Sequence, residues 1–124
     1  MRSLLLVALG GAVGAVARAV LSTAIQARWS SRLPWGTIVV NLAGCLALGV
    51  LAGALASRPH LSPAWRTFGA VGLLGAFTTF SAFEHQTLAL LEQGAVGAAA
   101  GNVAISVATG LLAVAAGQAV GRAL

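Results

Sequence analysis

Acidic residues, lysine and tyrosine are scarce or missing in this sequence of 124 residues. It contains two acidic residues, seven arginines and no tyrosine, so charged residues make up only 7% of the chain. A soluble domain carries about 25% charged residues. This chain therefore has too few charged side chains to cover the surface of a soluble domain. Because 59% of the residues are hydrophobic and the mean hydropathy is +0.96, the composition predicts a small membrane protein.

Cysteines and catalytic residue sets are also lacking. Cys45 is the only cysteine, which excludes an internal disulfide bond and a cysteine metal cluster. The sequence has no Ser-His-Asp or His-Cys set, no glycine loop leading to a lysine and no metal-ligand spacing. The two carboxylates, Glu84 and Glu92, lie eight positions apart, and we do not expect them to serve one acid–base site. We therefore predict that the protein is not an enzyme.

Long apolar runs dominate the rest of the sequence. Each is about 20 residues or longer, which is enough for a helix to cross a hydrocarbon core of about 30 Å. Four strands could not close a barrel, so the runs are predicted to be helices. We predict an all-α integral membrane fold, a single transmembrane domain over residues 1–124, with four helices at about residues 3–26, 36–57, 65–91 and 95–121.

Arginines flank these predicted helices on both sides of the membrane. Four fall on the side of the N-terminus and two on the other: Arg2, Arg58, Arg66 and Arg122 against Arg28 and Arg32. This bias is too weak to impose one orientation firmly. One four-helix chain is also too small to enclose a wide aqueous path. We therefore hypothesise an oligomer of oppositely oriented subunits.

The third apolar run contains an unusual polar cluster, GAFTTFSAFEH, at residues 75–85. Gly75 followed by adjacent threonines indicates a break near the middle of this helix, where freed carbonyls need other partners. A bound cation, or the same break in a second subunit, would supply them. Phe80 and Phe83 share one helix face, and the positive edges of their rings suit a small anion. Paired phenylalanines on a helix are nevertheless more often a packing feature.

A few other polar side chains lie inside the predicted helices, where such groups are costly and usually functional. Arg18 either extends to the interface or attracts an anion into a vestibule. The amide of Asn41 either bridges helices or lines a path, and we favour the path. Asn102, Ser106 and Thr109 share a face of the fourth helix, which faces a partner or a pore unless the hydroxyls bond back to their own helix.

Three sequence blocks resemble the signature blocks of the CrcB/Fluc fluoride ion channel family: GGAVGAVAR (residues 10–18), WGTIVVNLAG (35–44) and GLLGAFTTFSAFE (72–84). The resemblance covers nearly the whole chain, and the third block is the most specific. It implies an antiparallel, dual-topology homodimer in the inner membrane of a bacterial or archaeal cell. Two narrow pores would export fluoride passively and so lower the fluoride concentration of the cytoplasm.

The resemblance also implies roles for individual residues. Arg18 would lie in the vestibule, and the backbone carbonyls of Gly75 and Thr78 would hold a structural sodium ion at the dimer centre. The implied pore residues are Asn41, Thr79, Phe80, Ser81, Phe83, Ser106 and Thr109.

The chain departs from the family pattern in two ways. The block that often reads GGxTTFSTF has Ala76 and Ala82 in place of a glycine and a threonine. The pore-facing tyrosine that some members carry in the fourth helix is absent, and Asn102 is expected at its position.

Two other functions remain open on the sequence. A small multidrug-resistance-type, proton-coupled cation exporter has a similar size and four spans, but it needs a membrane-embedded carboxylate, for which Glu84 is the only mid-chain candidate. The third possibility is a structural subunit of a larger complex.

Overall fold

The computed structural model describes residues 1–124 and contains only helices and their connections. We refer to residues 63–77 as helix α3, which consists of three consecutive segments, Pro63–Trp65, Arg66–Leu74 and Gly75–Phe77. The other helices are α1 (Arg2–Arg28), α2 (Trp35–Ser57), α4 (Phe80–Glu92) and α5 (Val96–Ala123). The absence of strands confirms the prediction of an all-helical fold.

Three of these helices are long and apolar enough to cross a membrane, namely α1, α2 and α5, with 27, 23 and 28 residues. The third apolar run of the sequence is divided between α3 and α4, with Thr78 and Thr79 between them. The outward surfaces of the long helices are apolar, and side chains such as Leu111 and Leu112 are about 70% exposed. Such surfaces suit contact with lipid chains.

Helices α2 and α5 pack closely through glycines. Gly49 and Gly53 of α2 face Gly117 and Gly121 of α5 so closely that a side chain at any of the four would overlap the backbone of the other helix. Small residues at this spacing allow two helix backbones to approach in lipid. The contact fixes α5 against α2 and therefore determines which residues of α5 face α4.

Helices α1 and α3 make a second close contact. Residues Arg66–Leu74 of α3 have π-helical hydrogen bonding, which gives a wider turn than an α-helix. Gly10 and Gly14 of α1 accommodate this wider segment, because a side chain at Gly10 would come within 2.9 Å of the Leu73 nitrogen. Helix α3 is thereby held against α1, and its C-terminal end lies beside α2.

Candidate functional site

The connection between α3 and α4 is held by the side chain of Asn41 on α2. Thr78 and Thr79 have extended backbone conformations, with ψ angles of 157° and 116°. The Asn41 Nδ2 group donates a hydrogen bond to the Thr79 carbonyl at 3.0 Å, and the Thr79 N–H donates to Asn41 Oδ1 at 2.8 Å. The Asn41 amide therefore satisfies both the N–H and the carbonyl of Thr79, which have no partner within a helix.

Two neighbouring residues explain why the chain can adopt this arrangement. Gly44 lies almost one helical turn after Asn41, and a side chain there would overlap the Cγ2 atom of Thr78. The Thr79 hydroxyl oxygen accepts a hydrogen bond from the Ala82 N–H at 3.3 Å and so caps the start of α4. Close approach and capping together place the two threonines against α2.

Two backbone carbonyls lose their helical donors as a result. An α-helix would pair the Gly75 carbonyl with the Thr79 N–H and the Thr78 carbonyl with the Ala82 N–H. These N–H groups bond instead to Asn41 Oδ1 and to the Thr79 hydroxyl oxygen. The structure contains no group of three His, Cys, Asp or Glu side chains that could hold a metal ion, which leaves the backbone carbonyls as the candidate ligands. Carbonyl oxygens freed in this way fit a sodium ion, as in the interrupted helices of transporters.

An aromatic and amide-lined groove opens beside these residues. Its volume is about 260 Å³. Phe83 is buried, whereas Phe80 is 73% exposed, and their ring centroids lie 5.7 Å apart at an interplanar angle of 41°. The lining that concerns us consists of Asn41, Thr78, Thr79, Phe80, Phe83 and Ser106. We call this the phenylalanine groove.

A polar cavity of about 230 Å³ lies on the other side of Thr79. Its polar lining comes from α1, α2, α4 and the connection before α4, and consists of Arg18, Ser22, Thr37, Thr79 and Gln86. We call it the arginine cavity. The Gln86 Oε1 atom is buried and has no hydrogen-bond partner in the chain, so it requires water or another donor there. Thr79 lines both the arginine cavity and the phenylalanine groove.

Several residues of the arginine cavity are not among the site residues predicted from the sequence. Ser22 follows Arg18 by four positions, and Thr37 precedes Asn41 by four, so each pair shares a helix face. That spacing is the signal that could have identified them. Gln86 carries no comparable signal, because its place in the cavity depends on how α4 packs against α1 and α2.

The remaining candidate residues are dispersed around the groove. Ser81 is exposed, and its hydroxyl lies 3.4 Å from that of Thr79. Thr109 donates a hydrogen bond to the Ile105 carbonyl at 2.6 Å and lines an apolar surface between α2 and α5, so it is not brought to the phenylalanine groove. Asn102 is fully buried between α5 and α4 and does not line the groove either.

These features define a helical membrane protein in which an interrupted chain segment separates a polar cavity from an aromatic groove. The chain belongs to the CrcB family: residues 5–118 match the family described as "CrcB-like protein, Camphor Resistance (CrcB)". This match confirms the family resemblance seen in the three sequence blocks.

Curated relatives cover nearly the full chain. A protein from Paracoccus denitrificans is 48% identical over 120 residues, which span 95% of this chain and 93% of the relative. A protein from Acidobacterium capsulatum is 43% identical over 116 residues, 94% and 93% of the two chains. Another from Solibacter usitatus is 46% identical over 110 residues, 89% and 90% of the two chains. Each is named "Fluoride-specific ion channel FluC". Together with the apolar helices, the relatives indicate a multi-pass membrane protein.

Proposed function

We propose that this protein is a fluoride channel that lets fluoride leave the cell passively and so lowers the cytoplasmic fluoride concentration. The observation that carries the proposal is the identity of 43% and 48% to fluoride-specific channels, over 93% of the length of each relative. Membership of a channel family also means that the protein is an ion channel and not an enzyme. The cell membrane concerned would be the inner membrane of a bacterium or archaeon.

The arginine cavity supplies an entry for the anion. Arg18 is half-buried at this cavity and has no ion-pair or hydrogen-bond partner in the chain. A positive charge at a cavity mouth raises the local concentration of anions. Hydroxyl and amide groups of Ser22, Thr37 and Gln86 line the same space and can exchange hydrogen bonds with a hydrated ion.

The step between the cavity and the groove passes Thr79 and Asn41. Fluoride is small and strongly hydrated, so a pore must replace its water with hydrogen-bond donors. The Asn41 Nδ2 group has two N–H bonds, of which one is used by the Thr79 carbonyl. The second has no acceptor in the chain and lies beside the groove that Asn41 lines. It is the donor that we assign to the passing anion.

The phenylalanine groove continues the pathway beyond Asn41. Aromatic rings carry positive edges, and the rings of Phe80 and Phe83 both line the groove, with their planes inclined at 41°. Ser106 adds a hydroxyl to the same groove, with Thr79 and Ser81 close by. No fixed positive charge lines the groove, so the anion can escape, as conduction requires. Thr109 lies outside the pathway that we propose.

The functional unit that we propose is an antiparallel homodimer of chains with dual topology. Together α3 and α4 would make one membrane crossing, interrupted at Thr78 and Thr79. The phenylalanine groove is open on one side, and the Phe80 ring beside it is largely exposed, so a second copy would cover it within the bilayer. The carbonyls of Gly75 and Thr78 would hold the sodium ion at the dimer centre, where its charge would compensate their partial negative charges.

A fluoride-electrode assay on reconstituted protein tests the function. We expect vesicles that contain the pure protein to release fluoride but not chloride when the membrane potential is collapsed with an ionophore. Vesicles that retain fluoride as well as empty vesicles do would refute the channel. A proton-coupled cation exporter would instead take up cations in response to a pH gradient. Such an exporter requires a carboxylate at its transport site. Glu84 does not fit this role, because it is exposed and lines neither the arginine cavity nor the phenylalanine groove.

The phenylalanines are tested by Phe80→Ile and Phe83→Ile. Isoleucine keeps an apolar side chain but has no positive ring edge, so we expect a sharp fall in fluoride efflux with dimers intact on size-exclusion chromatography. Val107→Ile provides a matched control, because it changes an apolar residue that lines the same groove. Unchanged efflux in both phenylalanine variants would remove the rings from the mechanism.

A further inference from the structure

Helix α4 carries both groove phenylalanines but is attached to the rest of the chain at few points. Its N-terminal end is held by the bonds between Asn41 and Thr79. Its C-terminal end is held by an apolar cluster in which Leu90 packs with Ala95 and Ala99. Phe83 lies between these two attachments, so something between them must fix the position of its turn.

A chain of hydrogen bonds that includes one fully buried side chain occupies this middle position. The Asn102 Nδ2 group on α5 donates to the Thr87 hydroxyl oxygen at 2.9 Å. The Thr87 hydroxyl in turn donates to the Phe83 carbonyl at 2.7 Å. Asn102 is 1% exposed and is the most buried polar side chain of the protein. A longer contact of 3.5 Å joins its Oδ1 atom to the hydroxyl of Ser106, which lines the groove.

We propose that Asn102 is a positioning residue for Phe83 and that it acts through the hydroxyl of Thr87. The proposal rests on the proposed channel function, because it concerns the geometry of the phenylalanine groove. Asn102 has no contact with the groove space itself and therefore does not serve as an anion ligand. Its amide fixes the turn of α4 that begins at Phe83, and the ring position follows from the position of that turn.

The direction of each bond supports this assignment. The Thr87 hydroxyl has one proton, which is committed to the Phe83 carbonyl, so its oxygen is left to accept from Asn102. A threonine that bonds back to its own helix leaves the helix position relative to its neighbours undetermined. Here the same hydroxyl is also bonded to another helix, which turns a local bond into a link between α4 and α5. Asn102 is almost fully buried, so its amide has no ready access to water as a substitute partner.

The test compares isosteric and conservative variants. Thr87→Val removes the hydroxyl at almost constant volume, Asn102→Leu removes the amide, and Thr87→Ser keeps the hydroxyl. We expect the first two to lower fluoride efflux about tenfold, while Thr87→Ser stays within about twofold of the original protein. Thr67→Val is the matched control, since the Thr67 hydroxyl also bonds the carbonyl four residues earlier but makes no bond to another helix.

A second readout separates positioning from general stability. The chain has four phenylalanines, so uniform labelling with 4-fluorophenylalanine gives one fluorine NMR signal for each ring. We expect Thr87→Val and Asn102→Leu to shift the Phe83 signal, and Thr87→Ser to leave it in place. The signals of Phe68 and Phe77, on α3, should not move in any of these variants.

The outcomes discriminate between the proposals. An unmoved Phe83 signal in Thr87→Val, or equal shifts of the Phe68 and Phe77 signals, would overturn the positioning role. If the original protein released no fluoride, the channel function would fail, while the NMR comparison would still decide whether Asn102 positions Phe83. Should Asn102→Leu not assemble, the milder Thr87→Val variant decides the question alone.

Discussion

Replacing Asn41 by alanine tests the arrangement on which the proposed pathway depends. The substitution removes two hydrogen bonds, one at 3.0 Å to the Thr79 carbonyl and one at 2.8 Å from the Thr79 N–H. Thr79 is half-buried and lines the arginine cavity, so water can partly replace the amide, and each bond contributes a net of about 0.5–1.5 kcal/mol. The free energy of unfolding should therefore fall by about 1–3 kcal/mol.

The same variant should also conduct less fluoride, and the loss of stability alone should not account for this decrease. Asn41→Ala removes the donor assigned to the passing anion and frees the chain between α3 and α4 to move. We expect fluoride efflux to fall at least tenfold, equivalent to about 1.4 kcal/mol in the barrier. Unfolding in a denaturing detergent, followed by tryptophan fluorescence, measures the stability, and the fluoride electrode measures the efflux from vesicles with equal protein content.

Two companion variants make the comparison decisive. Cys45→Ala trims another residue that lines the same groove and should leave both stability and efflux almost unchanged. Asn41→Asp keeps an acceptor for the Thr79 N–H but cannot donate to the Thr79 carbonyl, and its charge would repel an anion. If Asn41→Ala conducted fluoride at the original rate with unaltered stability, our account of the amide would be wrong.

Two further predictions concern charge. Arg18→Gln should reduce efflux at about 0.01 M ionic strength but not at about 1 M, where the Debye length is only about 3 Å; a difference that is independent of salt would contradict an electrostatic role. Replacing sodium by N-methylglucamine during purification should destabilise the dimer, and returning sodium should restore it, if the carbonyls of Gly75 and Thr78 hold this ion. A dimer that is equally stable in both buffers would argue against a structural sodium site.

The helical architecture could be predicted from the sequence because it depends on local properties. Long apolar runs with almost no charge permit only helices in lipid, and the structure is indeed all-helical. The family could also be predicted, since its most specific block, residues 72–84, is a continuous stretch of sequence. In both cases the necessary information lies within about twenty consecutive residues.

Side-chain partners could not be predicted in the same way. The sequence left open whether Asn41 bridges helices or lines a path, because its partner is the backbone of a residue 38 positions away. The structure shows that it bridges, and its position at the groove makes the second role part of our proposal. Thr109 illustrates the opposite difficulty. It is three residues from Ser106 and shares its helix face by spacing alone. Its hydroxyl nevertheless bonds back to the Ile105 carbonyl, and the residue lines an apolar surface between α2 and α5, whereas Ser106 lines the phenylalanine groove.

The locked orientation of the Asn41 amide has a consequence for ion selectivity. An amide that is free to rotate can present its oxygen to a cation or its N–H groups to an anion. Here Oδ1 must face the Thr79 N–H and Nδ2 must face the Thr79 carbonyl. Rotation of the amide by 180° would place Nδ2 against the Thr79 N–H, donor against donor, and Oδ1 against the Thr79 carbonyl, acceptor against acceptor. The free N–H therefore keeps a fixed direction, and an anion meets a donor without having to reorient it. This preorganisation lets a neutral side chain favour an anion over a cation without a charge that would trap the ion.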